Sequence, residues 1–555
     1  MKFYKKTMKR NIYFGTTSML TSLGNQASTL KAMSEGCCGL PQEVKGSDFE
    51  DFVEICVKEV LEKSAISANN PELLFVLSTT KGNVALLAES VEEISPRTYL
   101  YDSAERMSKH FGFVNKPIVI SNACISGVSA LIVARELLLS GKYKHAIVVG
   151  CDILSRFITS GFESFKSISP NPCKPYDAER DGLSLGEACG AVLLTTQESL
   201  ASIPFVCLAG GAITNDANHI SGPSRTGDGL SQAINRALEY AGISASSVGF
   251  VNAHGTATAY NDEMESKAMN LSGLGETPLN SLKGYIGHTL GASGIVETIA
   301  CLHQLRQKEA FGTLGFSSLG TPLSLKVSAS PQKFDFPVCV KTASGFGGCN
   351  AAIVLTMDEP KTFSVANDGL EIKPEEEKNA DEFEIKELAS YTLPQSEQPF
   401  ADFIREEYRA LNEQNMKFYK MSDLCKAAYV SMMKLLQQVE FDIDTQDNDV
   451  AVILANKSSS LETDIAHQIV LNQNNPEGTS PAIFVYTLPN VVAGEICIRH
   501  KIRGNNTFFI ENNDSGLSED YARLLLKTGK AHKAICGWCE KMGENWNVKL
   551  KLLSI

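Results

Sequence analysis

What most constrains the fold of this sequence is an alternation: strand-like apolar runs are repeatedly followed by helical patterns. KPIVISNA (116–123) leads into GVSALIVARELLLSGK (127–142), whose apolar positions recur at helical spacing, and HAIVVGCD (145–152) reads as a strand again. Later, the helical LSQAINRALEYAGI (230–243) precedes the extended SVGFVNAHG (247–255). Such chains fold as layered α/β structures. One of these units recurs near the end of the chain. SGVSALIVARELLLSGKYKHAIVVGCD (126–152) is echoed, with one gap, by SGLSEDYARLLLKTGKAHKAICGWCE (515–540). Ala134-Arg135 match Ala522-Arg523, Gly141-Lys142 match Gly529-Lys530, Ala146-Ile147 match Ala534-Ile535, and Cys151 matches Cys539.

With 555 residues the chain is too long for one ordinary core. Residues 359–388 are acidic and nearly without aliphatic clusters, the composition of a linker. They divide a first domain, 10–358, from a second α/β domain, 389–555. Hydrophobic residues make up 43% and charged residues 21%, as in soluble globular proteins. No stretch approaches the roughly 20 apolar residues that span a bilayer. The basic start MKFYKKTMKRNIYF is not followed by the apolar core of a signal peptide, so a cytoplasmic protein is expected. The net charge of −13 argues against nucleic-acid binding. An acidic protein partner would need a local basic patch on this acidic chain.

The fifteen cysteines are scattered, and Cys56, Cys207, Cys301 and Cys497 lie inside apolar runs, so reduced, largely buried thiols are expected. Cys536-Gly-Trp-Cys539 has the spacing of a redox pair, but the echo aligns it with the strand VVGC rather than with a helix start. The same alignment sets Asn513 or Asp514 opposite Cys124, so the second copy carries no thiol nucleophile there.

Cys124 stands between the apolar run PIVIS and the helix beginning near Gly127. A helix N-terminus favours a thiolate, which predicts a thiol pKa below the free value of about 8.5. His254, in NAHGTATAYND, and His288, in SLKGYIGHTLGASG, lie in Gly- and Thr-flanked loops after short extended runs, where a rigid scaffold holds reactive groups. SGFGGCN (344–350) is a loop whose backbone N–H groups can face a ligand and supply half an oxyanion hole. Each feature alone is equally compatible with an ordinary structural role.

Together, NACISG, KPYDAERDGLSLGEACGAVLL, NAHGTATAYNDEMES, LKGYIGHTLGASGIVE and GFGGCNAA stand in the order found in β-ketoacyl synthases of the thiolase fold, and residues from about 10 to 358 resemble that family. The resemblance implies a thiolase-like layered αβαβα fold. It places the nucleophile on Cys124, the catalytic histidines on His254 and His288, the family's lysine on Lys283 and its glutamate on Glu297. For the Lys283–Glu297 pair a purely structural role is the alternative. The gating phenylalanine falls on Phe346, whose N–H would form the oxyanion hole with that of Cys124. Thr256, Thr258, Gly345 and Gly347 fall on substrate-binding positions. The implied reaction is decarboxylative condensation of an acyl and a malonyl thioester, in fatty-acid, polyketide or aryl-polyene synthesis. It needs no metal and no cofactor beyond the phosphopantetheine arm of an acyl carrier protein.

The expected partners are that carrier and a second ketosynthase-like chain in a homodimer or heterodimer, with no membrane contact. The alternatives are a non-elongating acyltransferase of the same fold and a non-catalytic carrier-binding or chain-length partner. The first domain departs from the family by being short between about residues 80 and 115, by TASGFGGCN in place of NSFGFGGTN, and by SLK in place of STK. The stretch 479–513 resembles the segment that precedes the family's active-site cysteine, so 389–555 reads as a degenerate N-terminal half of a second ketosynthase that covers a surface or shapes the acyl tunnel.

Overall fold

The computed structural model describes residues 11–42, 44–358, 384–439, 449–473 and 479–555. Apart from two-residue strands, its strands fall into three consecutive sets of five. The first is β1 (Tyr13–Thr21), β2 (Leu73–Ser78), β3 (Ile118–Ile120), β4 (His145–Asp152) and β5 (Ala188–Thr195). The second is β6 (Cys207–Asn215), β7 (Phe250–Asn252), β8 (Pro278–Asn280), β9 (Val338–Gly345) and β10 (Cys349–Thr356). The third is β11 (Lys386–Thr392), β12 (Val450–Asn456), β13 (Asn506–Ile510), β14 (Lys533–Met542) and β15 (Asn545–Ser554).

All three sets share one topology. The first runs β3-β2-β4-β5-β1, with β3, β2 and β4 parallel and the last two strands antiparallel to their neighbours. The second runs β8-β7-β9-β10-β6 and the third β13-β12-β14-β15-β11, with the same directions at each step. The register repeats as well: His145 pairs with Leu73 and Thr195, and Lys533 pairs with Val450 and Ser554. The echo read from the sequence is thus a repeat of strand pairing. The fold is a layered α/β one, and the C-terminal α/β domain has the architecture of half of the first.

Every residue of β2 and β4 is buried, as expected of parallel strands covered on both faces. Helices α1 (Ser126–Leu139), α2 (Arg156–Ser164) and α3 (Ser293–Gln307) follow in the first two units. α1 is apolar almost all round and is buried almost all round, the pattern of a helix enclosed in a core. The third unit contributes α4 (Pro481–Val485), α5 (Val491–His500) and α6 (Leu517–Lys527).

The third unit is joined to the first through its edge. β13 pairs antiparallel with β3, Phe509 opposite Ile120 and Ile510 opposite Val119. Lys116 Nζ meets Glu511 Oε2 at 2.9 Å across the same seam, and Lys530 forms an ion pair with buried Glu136 of α1. Most of the stretch read as a linker, 359–388, lies outside the described residues. Its last residues are not linker, since β11 begins at Lys386 and pairs with Ser554. β11 is an edge strand with a mostly exposed face, so its charged residues sit in water. Among the described residues, no helix is long and apolar enough to cross a membrane.

Phe509 is fully buried on β13, with the Tyr521 ring edge-on at 5.6 Å. Phe509→Ala is expected to cost about 3–5 kcal/mol. Because the seam joins the units, calorimetry should show the whole chain melting earlier in one transition; early melting of only one part would show that the units are independent.

Candidate active site

Cys124 stands four residues past the end of β3, at the start of α1. The turn that presents it is tight: Ala123 has φ +47°, a left-handed conformation unusual for a residue with a side chain. Local bonds hold it there. Ser126 Oγ donates to Ala123 O at 2.6 Å and accepts from Asn122 N at 2.8 Å. Asn122 is in turn fixed by the third unit: its Nδ2 donates to Asn506 O and its Oδ1 accepts from Phe508 N, both at 2.9 Å.

His254 follows β7, and His288 follows β8 and a short turn of helix over Lys283–Ile286. All three side chains therefore lie beyond the carboxyl ends of parallel strands, where α/β sheets place their ligands. The structure brings them together: the Cys124 sulfur and one ring nitrogen from each histidine lie within 4.8 Å of one another. The imidazole planes are nearly perpendicular, with centroids 5.1 Å apart.

Burial and the neighbouring Lys283 ammonium push both histidines well below their ordinary pKa, so both rings are neutral at physiological pH. Ser293 Oγ lies 3.1 Å from His288 Nδ1 and 3.0 Å from Thr289 Oγ1, and it accepts from Thr289 N. His288 Nε2 is buried with no hydrogen-bond partner among the described residues. The His254 loop is held by a residue that sequence reasoning missed, Glu265. Its buried carboxylate accepts from the backbone N–H groups of His254 at 2.8 Å and Gly255 at 2.7 Å, and from the Tyr176 hydroxyl at 2.9 Å.

Lys283 and Glu297 form an ion pair at 2.7 Å, fully enclosed. A second missed residue completes it. Lys341, on β9, places Nζ 2.5 Å from the other carboxylate oxygen of Glu297, and it is as deeply buried. Burial alone would raise the Glu297 pKa, yet the two ammonium groups hold it below the usual range. Two cations against one anion leave a net positive charge behind the histidines. None of these three side chains lines the cavity, so they act through the groups in front of them.

That cavity, of about 310 Å³, is lined mostly by apolar surface and reaches Cys124, His254 and His288. Thr256, Thr258, Gly345 and Phe346 also line it, and the two threonine hydroxyls are 2.8 Å apart. Gly347, expected among the substrate-binding residues, is not on its wall. Its N–H is committed to Ile220 O at 2.6 Å and its carbonyl accepts from Asn215 Nδ2 at 2.8 Å.

The expected low pKa of Cys124 is overturned. Withdrawal from water pushes the thiol up to about 12, against the pull of Lys283 and of the Cys124 and Phe346 backbone N–H groups. The helix N-terminus supplies its donors, but desolvation outweighs them. Cys536 and Cys539 both lie buried within β14, and burial raises both thiols.

The model of the β-ketoacyl synthase N-terminal domain matches residues 77–199, and that of the C-terminal domain matches residues 205–317. Together these matches span less than half of the chain, and within residues 77–317 the chain resembles β-ketoacyl synthases. Among curated relatives, the 3-oxoacyl-[acyl-carrier-protein] synthase 2 of Mycobacterium leprae is 34% identical over 245 residues, 42% of this chain and 58% of that protein. The chain spans 58–64% of the lengths of such relatives, less than two thirds. A ketosynthase solved in complex with its chain length factor, from Xenorhabdus doucetiae, covers 64% of this chain and all of its own, with 26% identity and a TM-score of 0.57. The PfaC keto synthase-chain length factor structure covers 98% of this chain and 78% of its own, with a TM-score of 0.74 at 14% identity. That last likeness is one of fold, and it extends through the third unit.

Only the thiolate reacts with an alkylating agent. Iodoacetamide modification of Cys124 is therefore expected to rise about tenfold per pH unit from 7 to 9 without a plateau. Lys283→Met should slow it throughout by removing the cation that favours the thiolate. Rate measurements showing a plateau near pH 8 would mean that burial does not dominate.

Proposed function

We propose that this protein joins an acyl thioester to a malonyl-[acyl-carrier-protein] with loss of carbon dioxide, giving a 3-oxoacyl-[acyl-carrier-protein] in fatty-acid or polyketide synthesis. The observation that carries this reading is the meeting of one sulfur and two neutral imidazoles in a single cavity. In the first step Cys124 Sγ attacks the acyl carbonyl. The bond to the carrier sulfur breaks, and the carrier thiol leaves with the proton that Cys124 gives up. The Cys124 and Phe346 backbone N–H groups stabilise the transient oxyanion. In the second step the malonyl carboxylate leaves as carbon dioxide and its bonding pair passes into an enolate. Neutral His254 and His288 each donate a hydrogen bond to the enolate oxygen as charge develops there. The enolate carbon then attacks the acyl-cysteine carbonyl, and Cys124 leaves as a thiolate that is reprotonated. The reaction calls on no metal and no redox group, and the phosphopantetheine arm arrives with the carrier.

The surface next to the cavity suits an acidic carrier. A groove of about 1130 Å³ shares Pro223 and Tyr260 with the cavity and is lined by Arg225 and Lys267 of the second unit and Lys501 and Arg503 of the third, together with Asp216, Asp228 and Glu263. In this reading the four cations are what meet an acidic carrier on a chain whose overall charge is −13. In this reading the third unit takes the place of a ketosynthase-like partner chain, carried within the same polypeptide.

The third unit also closes the space behind Cys124. Phe484 of α4 and Leu488 meet Phe162 and Phe346 around a gap of about 20 Å³, room for about one water molecule. Phe484 stands so close to Gly161 of α2 that a Cβ there would come within 2.1 Å of its ring. Acyl length is therefore set by this wall.

Intact-mass measurement after incubation with an acyl-carrier thioester is expected to show an acyl adduct that Cys124→Ala abolishes. His288→Ala should retain the adduct and lose about 10²–10³ of the rate of malonyl decarboxylation, the usual cost of one such donor. An adduct persisting without Cys124 would remove the nucleophile from the scheme. Phe484→Ala should move the products toward longer chains by mass spectrometry; an unchanged distribution would mean that the third unit does not set length.

A further inference from the structure

Phe346 sits in the turn between β9 and β10, and its two backbone groups are engaged on opposite sides. Its N–H faces the Cys124 sulfur. Its carbonyl accepts a hydrogen bond from Asn490 Nδ2 of the third unit at 2.8 Å. Asn490 directly precedes α5 and is 1% exposed. Its Oδ1 is buried with no hydrogen-bond partner among the described residues. Turning the amide over would set that oxygen against the Phe346 carbonyl, so the donor end is the one in use. One turn further on, Gly494 packs on the same loop so closely that a Cβ would lie 2.6 Å from Gly347 O.

The other contacts of the loop do not do the same work. The Cys349 thiol also reaches Phe346 O, at 3.2 Å, but it belongs to the same hairpin and moves with it. Ile220 and Asn215 hold residue 347 and leave the Phe346 carbonyl free. The Phe346 ring packs against Phe165 at 5.4 Å and Phe162 at 6.2 Å, over the apolar space behind Cys124. An acyl chain reaching that space must displace this ring, and a backbone swing that carries the ring aside parts the carbonyl from Asn490.

We propose that Asn490 is a positioning residue, a latch by which the third unit holds Phe346 with its N–H on the reacting centre and its ring across the acyl space. This inference rests on the condensation reading and assigns the third unit a part in both steps of acyl transfer. While the latch is closed, the oxyanion donor is in place. When it opens, the acyl space is accessible.

The test uses the full chain with Asn490→Leu, which keeps the volume and loses the donor, and Asn490→Asp, which sets an oxygen against the carbonyl. Acylation of Cys124 is timed with acetyl and octanoyl thioesters, and amide hydrogen exchange is followed by mass spectrometry over residues 345–350. Both variants are expected to exchange faster in that segment. Both should raise the octanoyl-to-acetyl rate ratio about threefold to tenfold, the range that an ordinary hydrogen bond contributes to an opening equilibrium. Unchanged exchange would overturn the latch. Faster exchange with both rates lowered equally would overturn its role in selecting the acyl group. A parent protein that takes neither acyl group would sink the condensation reading, while the exchange measurement would still decide whether Asn490 holds the loop.

Discussion

The structure depends on how a three-residue strand is kept in place. In a five-stranded unit ordered 3-2-4-5-1, the third strand is an edge, and Cys124 of the first unit stands just past its end. β3 has one neighbour of its own, β2, and the turn after it holds Ala123 in a left-handed conformation. An edge so short does not enforce a strained turn by itself. The antiparallel pairing with β13 gives β3 a second neighbour, and both ends of the Asn122 side chain are bonded to the same strand. The position of Cys124, and with it that of its backbone N–H and of the cavity wall, follows from this seam.

Behind the seam, charge and burial act against each other. Burial alone disfavours the thiolate, disfavours the imidazolium and would neutralise Glu297. The Lys283–Glu297–Lys341 group acts on all three through its excess positive charge. It keeps Glu297 ionised, reinforces the neutrality of the histidines and partly offsets the desolvation of Cys124. Neutral histidines are what an enolate oxygen needs, because each donates a proton in a hydrogen bond without bringing a charge that would also favour the ground-state carboxylate. Burial thus disfavours the resting thiolate, and the Cys124 and Phe346 backbone N–H groups pull the other way.

Some of this was legible in the sequence because the signals were local. Cys124, His254 and His288 each lie in small-residue loops just after apolar runs, and their convergence follows from the parallel strands that carry them. The echo of 126–152 in 515–540 proved to be a repeat of topology because it carried register: residues paired in one copy are paired in the other. What was not legible depends on contacts distant in sequence. Lys341 lies in VCVKTASG, a run otherwise suited to a buried strand, and nothing nearby shows that its partner is Glu297 on α3. That a lysine interrupts a fully buried strand is the signal that was available, since such a charge needs a counter-ion. Glu265 stood inside a quoted motif, but its acceptor role toward His254 and Gly255 requires the helix and loop to be folded back on each other. The Cys124 thiol went the other way from expectation because a helix N-terminus is readable from sequence and the depth of a cavity is not.

The third unit is best understood through what its topology leaves out. In the first two units the thiol at the end of β3 faces histidines from loops after β7 and β8, strands of a different unit. The third unit repeats the half that carries Cys124 in the first, and among the described residues no fourth set of strands brings such loops to Asn513 or Asp514. What the third unit cannot lose without consequence is contact: β13 against β3, Phe484 behind Cys124, and Asn490 on the carbonyl of Phe346. These lie in the strand and in the segment from α4 to α5 that face the first two units. Through Asn490 the third unit holds the carbonyl of the same residue whose N–H faces Cys124, so its contacts bear on the loop beside the thiol.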